Sequence, residues 1–496
     1  MSNAVNSARI AKNTLYLYAR MVVILAANFY AVRILLDVLG VEDYGLFNLI
    51  VGFVTLFTLL NGAMQSTVQR FLCFEMGKPD GGDTRSVFSL CLYLFIFLSA
   101  IIVVIGETVG LWFLNTRLNI PEGRFAVAQI VYQFSIATMV AKTMQIPFMS
   151  LILSYERMGV FAKISLLEGL LTLGAAVVLK WTRFDLLVAY ALFYTVSIIV
   201  CTAAYVVYCR WEFDDVTLFR TFTHRQFKGI SSFFSWSVLG AVANIFKQHG
   251  INVLINIYFG VALNATWAVA NKISMAVMQL VGNFQQAFAP QIIKSYAADD
   301  KTPYHQLLSS TSRLSFFLLL VCSMPLLCYT DLALGLWLKG SPPPQLSLFV
   351  RLSIVFSLCE AMAGPFWTGI QATGRIALYQ CCVSTLLVLA FFASWLLFGL
   401  GLPAWVALAC NIVSSLACHL YRTLHVRYRC GFPFVRYLRQ AMLPVAAVSA
   451  LCAIVASWSP LAACLSCPVL VFAVGISPKE RRFIVGKMCE RMLRHG

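Results

Sequence analysis

Apolar residues fill this chain in long blocks separated by short polar intervals. Blocks of this length are transmembrane helices, since about 20 residues at a rise of about 1.5 Å span the hydrocarbon core. Fourteen qualify: 14–36, 46–69, 87–112, 125–148, 160–180, 185–208, 232–257, 262–287, 313–337, 349–371, 378–399, 402–421, 441–457 and 461–476. The last two are the shortest, so twelve spanning helices with that pair lying shallow is the alternative count. The first apolar block is longer than a signal-peptide core and lacks a small-residue cleavage site, so it reads as a retained helix. The expected fold is an all-α polytopic membrane protein of 12–14 helices without a separate soluble domain.

The pattern repeats. "LLDVLGVEDYGLFNLIVGF" (35–53) aligns with "LINIYFGVALNATWAVANK" (254–272) at an offset of about 220 residues, matching Gly40 to Gly260, Val41 to Val261 and Phe47 to Trp267. Six helices per half is an even number, so both halves would share one orientation. This predicts an N-terminal lobe (1–208), a polar cytoplasmic linker (209–231), a C-terminal lobe (232–424), and a helix pair with a basic tail (425–496). The two six-helix lobes would face a central cavity.

Composition sharpens the picture. Of 496 residues 60% are hydrophobic and 11% charged, with a net charge of +17; soluble domains carry about 25% charged residues. With the N-terminus inside, inner loops hold 26 Lys and Arg and outer loops 5. The positive-inside bias therefore puts both termini in the cytoplasm. It also accounts for the charge as a surface facing anionic lipid headgroups, which removes the reason to invoke a nucleic-acid partner.

Six basic residues remain inside helices: Arg20, Arg33, Lys142, Lys247, Lys272 and Arg351. Each costs about 2.5–3.5 kcal/mol at mid-membrane. Arg33 and Arg351 lie near the outer boundary, where a long stem reaches water. Arg20 and Lys142 are two turns deep, and either anchoring or binding suits them. Lys247 and Lys272 are central. In "NIFKQHGINVLIN" (244–256), Asn244, Gln248, Asn252 and Asn256 recur every fourth residue with Lys247 at the edge of the stripe. In the next segment Lys272, Gln279 and Gln286 recur every seventh, with Asn264 and Asn271 alongside. Amides glue membrane helices together, but glue does not need two lysines, and no Asp or Glu occurs between residues 216 and 298. Such cations imply a wet cavity receiving an anion, or else pairing with Glu168 or Glu360 from other helices. His249 reads as a hydrogen-bonded packing residue. Glu360, followed by Gly364 and Pro365, marks a break that frees carbonyls, and is either an ion-coupling site or a counter-charge to a lysine.

The 16 cysteines are scattered and read as small packing residues. Cys464 and Cys467 form a CxxC pair without further ligands at metal spacing. No phosphate-binding GxxxxGK[ST] loop occurs, so ATP is not the direct energy source, and no cofactor is expected.

The stretches "RILLDVLGVEDYGLFNLIVGFVTLFTLLNGAMQSTVQRF" (33–71) and "INVLINIYFGVALNATWAVANKISMAVMQLVGNFQQAFAPQIIKSYA" (251–297), with "SPKERRF" (477–483), resemble bacterial polysaccharide-export flippases of the multidrug/oligosaccharidyl-lipid/polysaccharide exporter superfamily. The resemblance implies two six-helix lobes that carry undecaprenyl-diphosphate-linked oligosaccharide across the inner membrane by alternating access. Polysaccharide-assembly proteins are the implied partners. It assigns the diphosphate to Arg20, Lys247 and Lys272, with Lys142 beside them. Asn252 and Asn271 would meet sugar hydroxyls, and Glu360 would couple an ion. Within the superfamily, a cation-coupled multidrug exporter and a peptidoglycan-precursor flippase are the alternatives. A glycosyltransferase or polymerase would need a larger extramembrane site than these loops provide.

Overall fold

The computed structural model describes residues 2–55, 61–116, 120, 122–183, 185–216, 223–338, 345–478 and 480–482. Among the topological charges, Arg117, Arg220, Lys339, Lys479 and the basic residues beyond 482 lie outside them. The described residues are all-α, with no strand among them, as the apolar blocks require: in lipid only an intrahelical ladder satisfies every backbone group of an isolated segment.

The chain divides into two compact units, Met1–Ala241 and Val242–Gly496. The first holds α1 (Ser2–Thr55), α2 (Asn61–Gly77), α3 (Thr84–Ile105), α4 (Phe125–Ser154), α5 (Met158–Val178) and α6 (Leu186–Glu212). A long helical run, α7 (His224–Ala297), crosses the boundary. The second unit continues with α8 (Lys301–Cys328), α9 (Leu346–Ala372), α10 (Ala377–Gly399), α11 (Val406–Cys430), α12 (Leu443–Trp458) and α13 (Pro460–Leu470). Side-chain caps start several of these: Asp83 accepts from Ser86 N, Asp185 from Leu187 N and Val188 N, and Ser459 from Ala462 N.

Among the described residues ten helices are long and apolar enough to cross a membrane. The segments expected at 46–69, 262–287, 402–421 and 461–476 fall outside that group. The second is interrupted by residues not described, the eighth carries Lys272 with its amides, the twelfth carries His419 and Arg422, and the last is short. The ninth span also begins earlier than expected, at Lys301, and ends at Cys328 before a separate helix Thr330–Leu338. The outer surfaces are apolar, with Phe97 at 66% and Leu396 at 63% exposed, which suits lipid and not water. Exposed Trp181, Trp211, Tyr428 and Trp458 sit at helix ends, where aromatic belts meet the headgroups.

The repeat is visible in the backbone. α4, α5 and α6 begin at residues 125, 158 and 186, and α9, α10 and α11 at 346, 377 and 406, offsets of 221, 219 and 220. Gly40 (φ 75°, ψ 173°) breaks α1, and Gly260 (φ 81°, ψ −179°) breaks α7 in the same way. That region of backbone space is essentially glycine's alone, so each half turns its first helix into its second at a residue that cannot carry a side chain cheaply. The matched aromatics both pack edge-on but against different helices: Phe47 on Tyr190 of α6 (4.8 Å) and Trp267 on Phe349 of α9 (6.1 Å).

Local ion pairs pin helix ends. In the first unit Arg124 bridges Asp43, just past the Gly40 break, and Asp185, the cap of α6. In the second, Arg351 pairs with Asp331 at 3.2 Å, in keeping with its expected place at a helix boundary. Arg313, counted from sequence as an inner-loop charge, is instead 6% exposed inside the second unit. It donates to Gln440 O at 2.6 Å and to Glu480 at 2.5 Å. Glu480 in turn forms a capping box with Ser477 within "SPKERRF".

A Cβ at Gly40 or Gly260 would meet nothing within 4 Å, so any cost of substitution is backbone strain alone. Gly260→Ala should therefore destabilise the protein by about 1–3 kcal/mol. Gly174→Ala, in the open interior of α5, should be neutral or stabilising. Thermal unfolding in detergent checks the pair; equal effects would contradict the strain assignment.

Candidate functional site

Most of the central intramembrane cations are not isolated; Lys272 is the exception among the described residues. Each unit gathers two cations around one carboxylate.

In the first unit Lys142 on α4 donates to Tyr194 Oη of α6 at 3.1 Å, and its Nζ lies 3.9 Å from Glu168 Oε1 of α5. Gln145, one turn along α4, donates to Glu168 Oε2 at 3.4 Å. Arg20 of α1 stacks its guanidinium 4.4 Å from the centroid of the Phe161 ring and stays within electrostatic reach of Glu168. Its buried Nε has no hydrogen-bond partner among the described residues. Lys142 and Glu168 are each about one-third accessible, at 30% and 27%.

In the second unit the carboxylate is Glu360 on α9, which accepts from Ser415 Oγ of α11. Lys247 of α7 is buried, with Nζ 5.3 Å from the Phe356 ring centroid and Glu360 as its principal opposing charge. Arg422 of α11 donates through Nε to Tyr379 Oη of α10 at 2.8 Å and also feels Glu360. No ion pair within 4 Å joins Glu360 to either cation among the described residues. The carboxylate is therefore within electrostatic reach of two positive groups without being consumed by one. His419, a turn away, is taken up by Tyr437 Oη at 3.0 Å.

Pro365 does not break α9, which runs unbroken from Leu346 to Ala372. Proline lacks the N–H that Ala361, four residues earlier, would otherwise receive. That carbonyl accepts instead from Gln285 Nε2 of α7 at 2.8 Å. The approach needs a glycine opposite, because a Cβ on Gly364 would stand 2.0 Å from Gln285 Oε1.

The sequence-predicted residues thus separate. Arg20 and Lys142 come together around Glu168, while Lys247 joins Glu360. Lys272 is exposed with no ion pair, and Asn252 and Asn271 are half-buried with no hydrogen bond, among the described residues. Lys247 also departs from its expected stripe. It shares the packed face of Ala243, Ile251 and Leu254, whereas Asn244, Gln248 and Asn256 are exposed on other sides. His249 is exposed too, not a packing residue, because it follows the buried position 247 by two residues on the far side of the helix. Sequence reading missed Arg422, placed in a loop by ending the twelfth segment at 421. The series Asn411, Ser415, His419 at every fourth residue already extends that helix toward it.

Replacing Gln285 with Met should leave the Ala361 carbonyl unpaired and cost about 1–3 kcal/mol. In a Pro365→Ala background, which restores the intrahelical donor, the same replacement should cost clearly less. A double-mutant cycle by thermal unfolding measures the difference; additive effects would disprove the coupling.

No family model and no curated protein sequence matches the chain. Solved structures do. A MATE structure in the bent conformation superposes with a TM-score of 0.73 at 14% identity, covering 85% of this chain and 96% of that one. A MOP superfamily transporter from Pyrococcus furiosus Vc1, described as having a binding pocket of reverse polarity that suggests a different function, gives 0.68 at 14%, covering 85% and 95%. The outward-facing conformation of a multidrug resistance MATE family transporter gives 0.67 at 14%, covering 85% and 96%. The chain has the all-α fold of these MATE and MOP superfamily transporters.

Proposed function

We propose that the protein is a flippase that moves undecaprenyl-diphosphate-linked oligosaccharide across the bacterial inner membrane, serving surface polysaccharide assembly. The observation that carries this reading is the charge balance: two cations to one carboxylate in each unit, with Lys272 exposed besides. A diphosphate in hydrocarbon is prohibitively costly unless fixed positive groups replace its water. Arg20, Lys142, Lys247 and Lys272 supply them, and Asn252 and Asn271, whose amides are uncommitted, suit sugar hydroxyls. The polyprenyl tail stays in lipid throughout. Both termini are taken as cytoplasmic, and no covalent chemistry on the glycan is involved. Glu360, within electrostatic reach of both Lys247 and Arg422, is the group whose protonation would change the local charge and couple an ion.

A cation-coupled multidrug exporter is the second reading, favoured by the MATE structures that share the fold. It needs carboxylates free to meet a cationic drug. Here Glu168 and Glu360 each face two cations, which works against such a ligand.

At about 4 Å and an effective dielectric near 20, one unit-charge contact is worth about 4 kcal/mol. Exchanging both Lys247 and Lys272 for Glu should then lower surface polysaccharide by at least about 100-fold at matched expression. Unchanged polysaccharide, or an altered drug-resistance profile in its place, would rule the flippase reading out. Glu360→Gln should slow translocation and remove its response to a proton gradient; a retained response would exclude Glu360 from coupling.

A further inference from the structure

The CxxC pair finds a use once the C-terminal helices are in place. α12 and α13 form a hairpin about Ser459, and α13 packs along α8. Cys452 and Cys467 stand seven and eight residues from Ser459 on the two arms, which sets them opposite each other, and their thiols are near enough to interact electrostatically. The register against α8 is fixed elsewhere. Gly475, in the wide turn that follows α13, lies so close to Phe317 of α8 that a Cβ there would stand 2.7 Å from the ring. Moving eleven residues, about three turns, back along α13 from Gly475 reaches Cys464; moving eleven forward along α8 from Phe317 reaches Cys328. The antiparallel register therefore sets Cys328 opposite Cys464, within electrostatic reach of it. Four cysteines of three helices thus meet near the Ser459 end. Cys452 and Cys467 are buried, while Cys328 and Cys464 are partly accessible. Among the described residues no group of three or more His, Cys, Asp or Glu is arranged to hold a metal ion.

We propose that Cys328 and Cys464 form a redox clasp that staples the C-terminal helix pair to α8 by thiol–disulfide exchange with an external small-molecule disulfide. The Cys464 thiolate attacks one sulfur of that disulfide and expels a thiolate, giving a mixed disulfide. The Cys328 thiolate then attacks the Cys464 sulfur and expels the second. The protein's two thiols lose two electrons, the external disulfide gains them, and both protons finish on the departing thiols. The other end of the helix pair is already held by Arg313, midway along α8, on Gln440 O and Glu480, so the disulfide would fix the pair at both ends. In the orientation proposed above this end faces the outer compartment, where disulfides persist. The clasp itself does not depend on what the chain transports.

The full chain in detergent, incubated with oxidised glutathione and then alkylated, tests this. Of its 16 cysteines, 14 should remain alkylatable, with a mapped Cys328–Cys464 peptide and a melting temperature above that of the reduced protein. Cys328→Ala and Cys464→Ala should each lose that link and the rise in melting temperature, while melting like reduced wild type when reduced. Sixteen reactive thiols after oxidation, a link joining other cysteines, or a Cys328–Cys464 link with no rise would overturn the clasp.

Discussion

Positive charge inside a membrane must be answered by something, and in this protein it is answered only by half. Glu168 faces Lys142 and Arg20; Glu360 faces Lys247 and Arg422. A single carboxylate lowers the cost of holding two cations at depth without cancelling them. The arrangement differs from a closed ion pair, whose desolvation is spent on fold stability or specificity. Each unit retains a residual positive charge, partly screened by aromatic faces at Phe161 and Phe356 and by the phenols Tyr194 and Tyr379.

The same demand for internal satisfaction shapes the backbone. Without water to meet stray N–H and C=O groups, irregularities survive only where a side chain covers them. Pro365 and Gln285 show the rule: a carbonyl freed in one helix is capped from another, through a gap that only Gly364 leaves open. Gly40 and Gly260 show its other side, since each turn is made in one residue and the helical ladder resumes at once. These devices hold rigid helices in register while leaving polar groups such as Asn252 and Asn271 uncommitted.

Fold likeness and charge point to different levels of function. The shared architecture with MATE and MOP superfamily transporters, at 13–14% identity, speaks to fold alone. What distinguishes one ligand class from another within such a fold is the sign of the groups it holds at depth. In this chain the excess is positive in both units, and the proposed anionic cargo follows from that excess together with the flippase-like stretches of sequence.

The sequence by itself determined that this is a polytopic helical protein, because hydrocarbon tolerates long apolar helices and little else, and composition records that directly. It also determined the repeat: a glycine that only glycine can replace leaves a mark at 40 and again at 260. It singled out Arg20, Lys142, Lys247 and Glu360, since charge at depth is conspicuous in a linear reading. Partners were another matter. Whether Lys247 faces its own amide stripe or the opposite packed face turns on a rotation of about 100° per residue, too fine for a stripe with a drifting period. Arg422 looked like a loop charge because helix ends in the headgroup region carry no sharp sequence signal. Only the packed helices decided that Glu168 belongs with Lys142 and that Glu360 acts on both Lys247 and Arg422. Pairing joins residues far apart in sequence, and tertiary contact alone brings them together.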